Sequence, residues 1–200
     1  MSINLKKNAR EIGRHLRNRK WEATPGGILI DRGGMNALVN GVFEDTLYRD
    51  GGADRQISPN LVVSQGLIHV LNTVFAGAAQ VTQWYIGLFS GNVTPVANWT
   101  AANVVANSTE LTGYPTARPN FTVAAVAAPS IGNTGNEATF AFDASGPYTA
   151  RGACLISVSN KGSTTGVLMA ATRFAADRAG LNSPDELGVR YVLTAADAGP

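Results

Sequence analysis

The sequence predicts a mainly β fold: an antiparallel β-sandwich or jelly roll, preceded by one helix and an extended N-terminal arm. Three observations predict it. Strand-like stretches recur at residues 81–89, 121–126, 138–142, 148–159, 166–174 and 187–194. Clusters of Gly, Pro, Asn and Ser separate them, with no helical period between. The arm is glycine-punctuated and lacks a sustained period of its own.

Residues 1–20 form a basic head. Lys6, Lys7, Arg10, Arg14, Arg17, Arg19 and Lys20 stand against Glu11 alone, a net of +6 within a chain of net +2. As a helix, residues 3–20 would align Ile3, Leu5, Ile12 and Leu16 on an incomplete apolar stripe, which is stable mainly when docked. Trp21 follows. These eight residues, Lys6 through Trp21, are candidate arm contacts. Lysine and arginine can neutralise phosphates, so a weak nucleic-acid contact through residues 1–20 competes with a protein-docked or solvated arm. From residue 22 to 57, Pro25-Gly26-Gly27, Gly33-Gly34, Gly41 and Gly51-Gly52 break up short apolar pieces such as Ile28-Leu29-Ile30. That apolar content exceeds what free linkers carry, which predicts an arm ordered against a partner chain. The sequence thus divides into an arm over 1–57 and a sandwich domain over 58–200.

A leading helix is expected over residues 58–76. Ser58 offers an N-cap and Pro59 a first helical position. Val63, Leu67, Val70, Leu71 and Val74 follow at helical spacing, and Gly77 ends the run. His69 lies off that stripe and reads as a boundary or surface histidine. Beyond the helix, Trp84, Ile86 and Leu88 alternate with Tyr85, Gly87 and Phe89 in the first strand. The connection over residues 92–109 is long for a hairpin, and such loops usually make contacts. Its Trp99 is the candidate loop contact.

Residues 61–160 hold only Arg118, Arg151, Glu110, Glu137 and Asp143 as charged residues, where about a quarter of an average domain is charged. A surface this poor in charge points to protein neighbours. The inventory for chemistry is correspondingly thin. Gly87-Leu88-Phe89-Ser90-Gly91 misplaces the serine of a nucleophile elbow. Lys161-Gly162-Ser163 lacks the preceding glycine frame of a phosphate loop and reads as a hairpin turn. Cys154 is the one cysteine, so no internal disulfide forms; within a strand it reads as a small apolar residue. Glu110, Glu137 and Asp143 are the carboxylates to weigh for glycan cleavage, and scattered acids at loop edges are ordinarily solubilising. Asp45, Asp50 and Asp54 do not match a calcium loop, and Asp185-Glu186 reads as a turn before the last strand. Sequons at Asn92, Asn98, Asn107 and Asn120 accompany no export signal and read as by-products of composition. No catalytic set, cofactor, metal site or membrane span is expected.

Residues 84–142 carry Trp84-Tyr85-Ile86-Gly87-Leu88-Phe89-Ser90, then Glu110-Leu111-Thr112-Gly113-Tyr114 with Arg118-Pro119 and Phe121. Gly132-Asn133 and Asn136-Glu137-Ala138-Thr139-Phe140 follow. This stretch, about a third of the chain, resembles a pattern found in structural proteins of tailed bacteriophages. The resemblance implies a small β-sandwich opened by an aromatic-rich strand, followed by a Gly-Tyr loop with a nearby arginine and by an Asn-x-Ala-x-Phe strand. The long arm departs from it.

The expectation is therefore a non-enzymatic virion protein that decorates or cements a phage capsid, with the major capsid protein and copies of itself as partners. Its location would be the virion, after assembly in the host cytoplasm. Residues 1–57 would clamp the shell, adding a strand to a neighbour's sheet edge. A tail, baseplate or fibre component is the alternative of the same class. A glycan-binding module, with Trp84, Tyr85, Trp99 or Tyr114 as stacking platforms, is the alternative of another.

Overall fold

A computed structural model describes residues 22–24, 27–29, 37–114, 117–124 and 128–197. In chain order the elements are β1 (Glu22–Thr24), β2 (Gly27–Leu29), β3 (Ala37–Arg49), β4 (Gly52–Pro59), β5 (Leu61–Val62) and α1 (Ser64–Phe75). Then come β6 (Tyr85–Phe89), α2 (Ala101–Ala106), β7 (Ser130–Gly132), β8 (Ala138–Ala141), β9 (Tyr148–Ile156), β10 (Leu168–Leu181) and β11 (Glu186–Asp197). The chain is mainly β, and its strands make two antiparallel sheets.

The larger sheet runs β1-β2-β3-β11-β7, with β4 also paired to β3 and β8 also paired to β11. Its spine is the β3–β11 ladder, in register from Ala37 opposite Asp197 to Tyr48 opposite Glu186. The smaller sheet runs β5-β10-β9-β6. Between the sheets lies the main core, to which β3 gives Phe43, β8 gives Ala138 and Phe140, and β11 gives Leu187, Val189 and Tyr191. From the facing sheet come Ile86 and Leu88 of β6, Ala153 and Leu155 of β9, and Ala170 and Phe174 of β10. Residues two apart share a face of a strand, so Leu187, Val189 and Tyr191 point inward together. Within the core the Phe43 and Tyr191 rings lie 4.5 Å apart, and Tyr114 meets Phe140 edge to face at 4.8 Å.

The smaller sheet is covered on its other face as well. Cys154, Ile156, Leu168 and Ala171 there meet Trp99, Ala101 and Val104 from the connection after β6. This is why β9 is buried almost continuously from Gly152 to Ile156 and shows no alternation.

Several sequence expectations need correction. The boundary at residue 57 does not stand: β3 and β4, over Ala37–Pro59, are integral strands of the larger sheet, with Phe43 and Asp45 fully buried. The expected arm thus yields its C-terminal third to the sandwich. The helix expected over 58–76 spans Ser64–Phe75 instead. Ser58 and Pro59 finish β4, where the Ser58 hydroxyl accepts a bond from Ala175 N and Thr172 Oγ1 donates to Pro59 O. Strands therefore precede the helix as well as follow it. The strand expected over 121–126 is not seen among the described residues; Asn120 forms an isolated bridge to Tyr85, and 121–124 are irregular.

Candidate functional site

The candidate arm contacts Lys6, Lys7, Arg10, Arg14, Arg17, Arg19, Lys20 and Trp21 lie outside the described residues. Trp99 does not lie on the surface, as a loop contact would require. It is 5% exposed, part of the cluster under the smaller sheet, and its ring meets Phe89 edge to face at 6.5 Å. The reason is local. Thr100 starts α2 with a capping box: Asn103 Oδ1 accepts from Thr100 N at 2.7 Å. The turn so formed presses Trp99, Ala101 and Val104 onto β9 and β10. Of the other aromatic platforms, Tyr114 is buried in the core, while Trp84 and Tyr85 are half-buried.

The charged and polar side chains singled out for chemistry are engaged in holding the fold. Glu110 and Arg118 form a buried bidentate pair, Nε to Oε1 at 2.7 Å and Nη2 to Oε2 at 2.9 Å. Arg118 Nη1 donates to Val158 O at 2.7 Å, and Glu110 Oε2 also accepts from Gly162 N at 2.6 Å. Gly87 makes room for this. A Cβ there would sit 3.3 Å from Arg118 Nε and 3.1 Å from Cys154 Sγ. The pair thereby ties the Gly-Tyr loop to the turn after β9. Lys161, in that turn, donates to Tyr114 O at 2.6 Å and lies 4.1 Å from the centre of the Tyr114 ring. Burial lowers its pKa. Burial also pushes the Cys154 thiol up to about 12, which keeps it protonated and unreactive.

A second network closes the opposite edge. Arg178 bridges Asp45, with Nε to Oδ2 at 2.5 Å, and Asp54. Arg49 meets both oxygens of Asp185, at 2.9 and 2.7 Å, and holds that carboxyl below the usual carboxylate range. Arg190 joins Glu44 and Glu137, and Asp177 is shared by Arg151 and Arg173. Asn133 is a turn-holder: its Oδ1 accepts from Tyr191 N at 2.7 Å and its Nδ2 donates to Val189 O at 3.1 Å. Glu110, Glu137 and Asp143 thus have structural partners, Asp143 accepting from the Tyr148 hydroxyl at 2.7 Å. Among the described residues no three His, Cys, Asp or Glu side chains gather where they could hold a metal ion.

What remains open is a surface, and sequence reading missed it. From Gln56 to Thr109 the chain contains no Asp, Glu, Lys or Arg. Within this run α1 is seated by Gly66, its one buried residue, where a Cβ would come within 2.6 Å of Met169 O. The close approach sets the helix on its glycine side, with Leu67 against the main core and most of its other apolar residues outward. Ile68, Val70, Leu71, Val74 and Phe75 are exposed, Phe75 at 82%. The helical period was legible, but period reports that an apolar face exists and not what covers it.

No family model, curated protein or solved structure matches the chain. Its class is therefore defined by its own architecture, a two-sheet antiparallel β-sandwich with a buried Glu110–Arg118 pair and an uncharged helix whose apolar side chains are largely exposed.

Proposed function

We propose that this chain is a non-enzymatic structural protein of a tailed-phage virion, one that decorates or cements the capsid through the major capsid protein and copies of itself. The observation that carries the reading is the division of the surface. Most charged groups of the sandwich are tied in ion pairs with one another, while an uncharged stretch carries an exposed apolar helix. Monomeric proteins seldom leave large contiguous apolar patches bare, and such patches mark protein contacts. The tailed-phage resemblance over residues 84–142 supports the same reading, and the basic residues 6–20 supply an additional adhesive segment. A jelly-roll-like subunit held by its neighbours needs nothing further. Burial of Trp99 takes away the residue on which a glycan-binding reading chiefly leaned.

Co-sedimentation of the purified chain with separated phage heads and tails tests the proposal. Binding to heads, weakened by deletion of residues 1–20, is the expected outcome. Binding to tails alone would move the protein to the tail or baseplate, and binding to neither would overturn the virion reading.

A further inference from the structure

We infer that the α1 face is a two-fold interface between copies of this chain, in which Phe75 of each copy enters a cleft beside α1 of the other. The inference deepens the proposed structural role by assigning the surface of self-association. The cleft lies between α1 and the segment leading into β6. It has a volume of about 170 Å3 and is walled by Val70, Val74, Val81, Trp84 and Met169, with the polar Thr73 and Gln80 among them. His69 stands at its rim, edge to face with Trp84 at 5.8 Å. An enclosed apolar cavity of about 150 Å3 accommodates a benzene ring, so a cleft of this size, though open to solvent, has room for one aromatic side chain. Phe75, 82% exposed, projects from the last turn of the same helix. Knob and hole on one face are what a two-fold contact requires, since each residue i that meets j is matched by j meeting i.

Charge and size both favour a second copy as the occupant. The face lies inside the uncharged run from Gln56 to Thr109, so bringing it against itself opposes no like charges. The basic residues 6–20 find no counter-charge there, and neither would an anionic membrane. Of residues 64–84, every one except Gly66 keeps solvent-accessible surface. Thirteen of them are exposed, a small footprint beside the roughly 20–30 residues on one side of a standard interface, which fits a concentration-dependent pair.

Sedimentation velocity of the purified full chain over a concentration series tests the inference without any phage component, so its failure and failure of the virion reading are distinguishable. The expected result is a monomer–dimer equilibrium that Phe75→Asp weakens by at least about tenfold, while Val123→Asp, at another exposed apolar position, leaves it in place. Raising salt from about 0.05 to about 0.5 M should not dissolve the dimer, unlike an association held by the basic segment. Phe75 is so exposed that its replacement leaves the folded chain intact, which circular dichroism checks. Because Cys154 is buried, oxidising a mixture of Phe75→Cys and Val81→Cys chains should give a disulfide-linked pair. A chain monomeric at about 100 μM, a dimer indifferent to Phe75→Asp, or one dissolved by salt would each overturn the inference.

Discussion

The edge of the sandwich around β4, β10 and the turn before β11, and the uncharged stretch around α1, handle their side chains in opposite ways. At the first, Arg178, Arg49 and Arg190 each join segments distant in sequence through carboxylates, and Arg173 and Arg151 share Asp177 between neighbouring strands. At the second, apolar side chains at helical spacing face solvent with no charged neighbour on their own segment. A salt bridge satisfies its partners and ends the surface there. An exposed apolar stripe leaves its stabilisation to be gained from another body. The contrast separates the part of the molecule whose side chains satisfy one another from the part that leaves apolar surface exposed.

The comparison can be broken most severely where an internal tie is fully buried. Arg118→Met leaves the Glu110 carboxylate without its bidentate partner, and removing one member of a buried pair costs about 3–5 kcal/mol. Trp99→Ala, by emptying the cluster under the smaller sheet, should cost a similar 3–5 kcal/mol. Both are read as losses in urea or thermal unfolding; a Trp99→Ala protein of unchanged stability would return Trp99 to the surface.

A gentler probe is pH. Arg49 holds Asp185 below the usual carboxylate range. The folded chain therefore releases that proton more readily than the unfolded one, whose value is about 3.9. The resulting stability is complete above the unfolded value and is lost as pH falls through the folded value. Arg49→Met should flatten this acid-side loss. Asp45 has the opposite sign, because burial raises its pKa despite Arg178. Stability from that site falls as pH rises from about 4 through the raised value, and Asp45→Asn should remove the slope. The smallest effect belongs to Arg55, whose side chain is 57% exposed and whose partner Glu44 keeps Arg190. Arg55→Ala should change stability by less than about 1 kcal/mol in the same unfolding assay.

Much of the sandwich was legible because its signal is local. Alternation in Leu187, Val189 and Tyr191, and the turn clusters after Ile156 and Leu181, locate β9 and β11 within three residues, while β10 runs seven residues beyond its expected end at Phe174. The hairpin of β3 and β4 was hidden by two buried or half-buried acids, Glu44 and Asp45, which interrupt the apolar pattern of Val42 and Phe43. One signal for it was present. Asp50-Gly51 is a strong two-residue hairpin turn, and both residues have the positive φ, 52° and 74°, that such a turn requires. Those acids are tolerated because arginines from β10 and β11 meet them, partners more than a hundred residues away. The candidate surface was harder to read, since an apolar stripe at helical spacing is equally expected of a core helix.

By itself the sequence determined the strand-rich class, the places of β6, β8, β9, β10 and β11, the scarcity of charge and the presence of a helix with an apolar face, because period and composition are properties of neighbouring residues. Only the tertiary structure decided that Ala37–Pro59 belongs to the sheet, that Trp99 is covered, and that α1 rests on Gly66 with Phe75 outward. Each depends on which distant backbone arrives at a given face, and so on pairings and close approaches that no local pattern encodes.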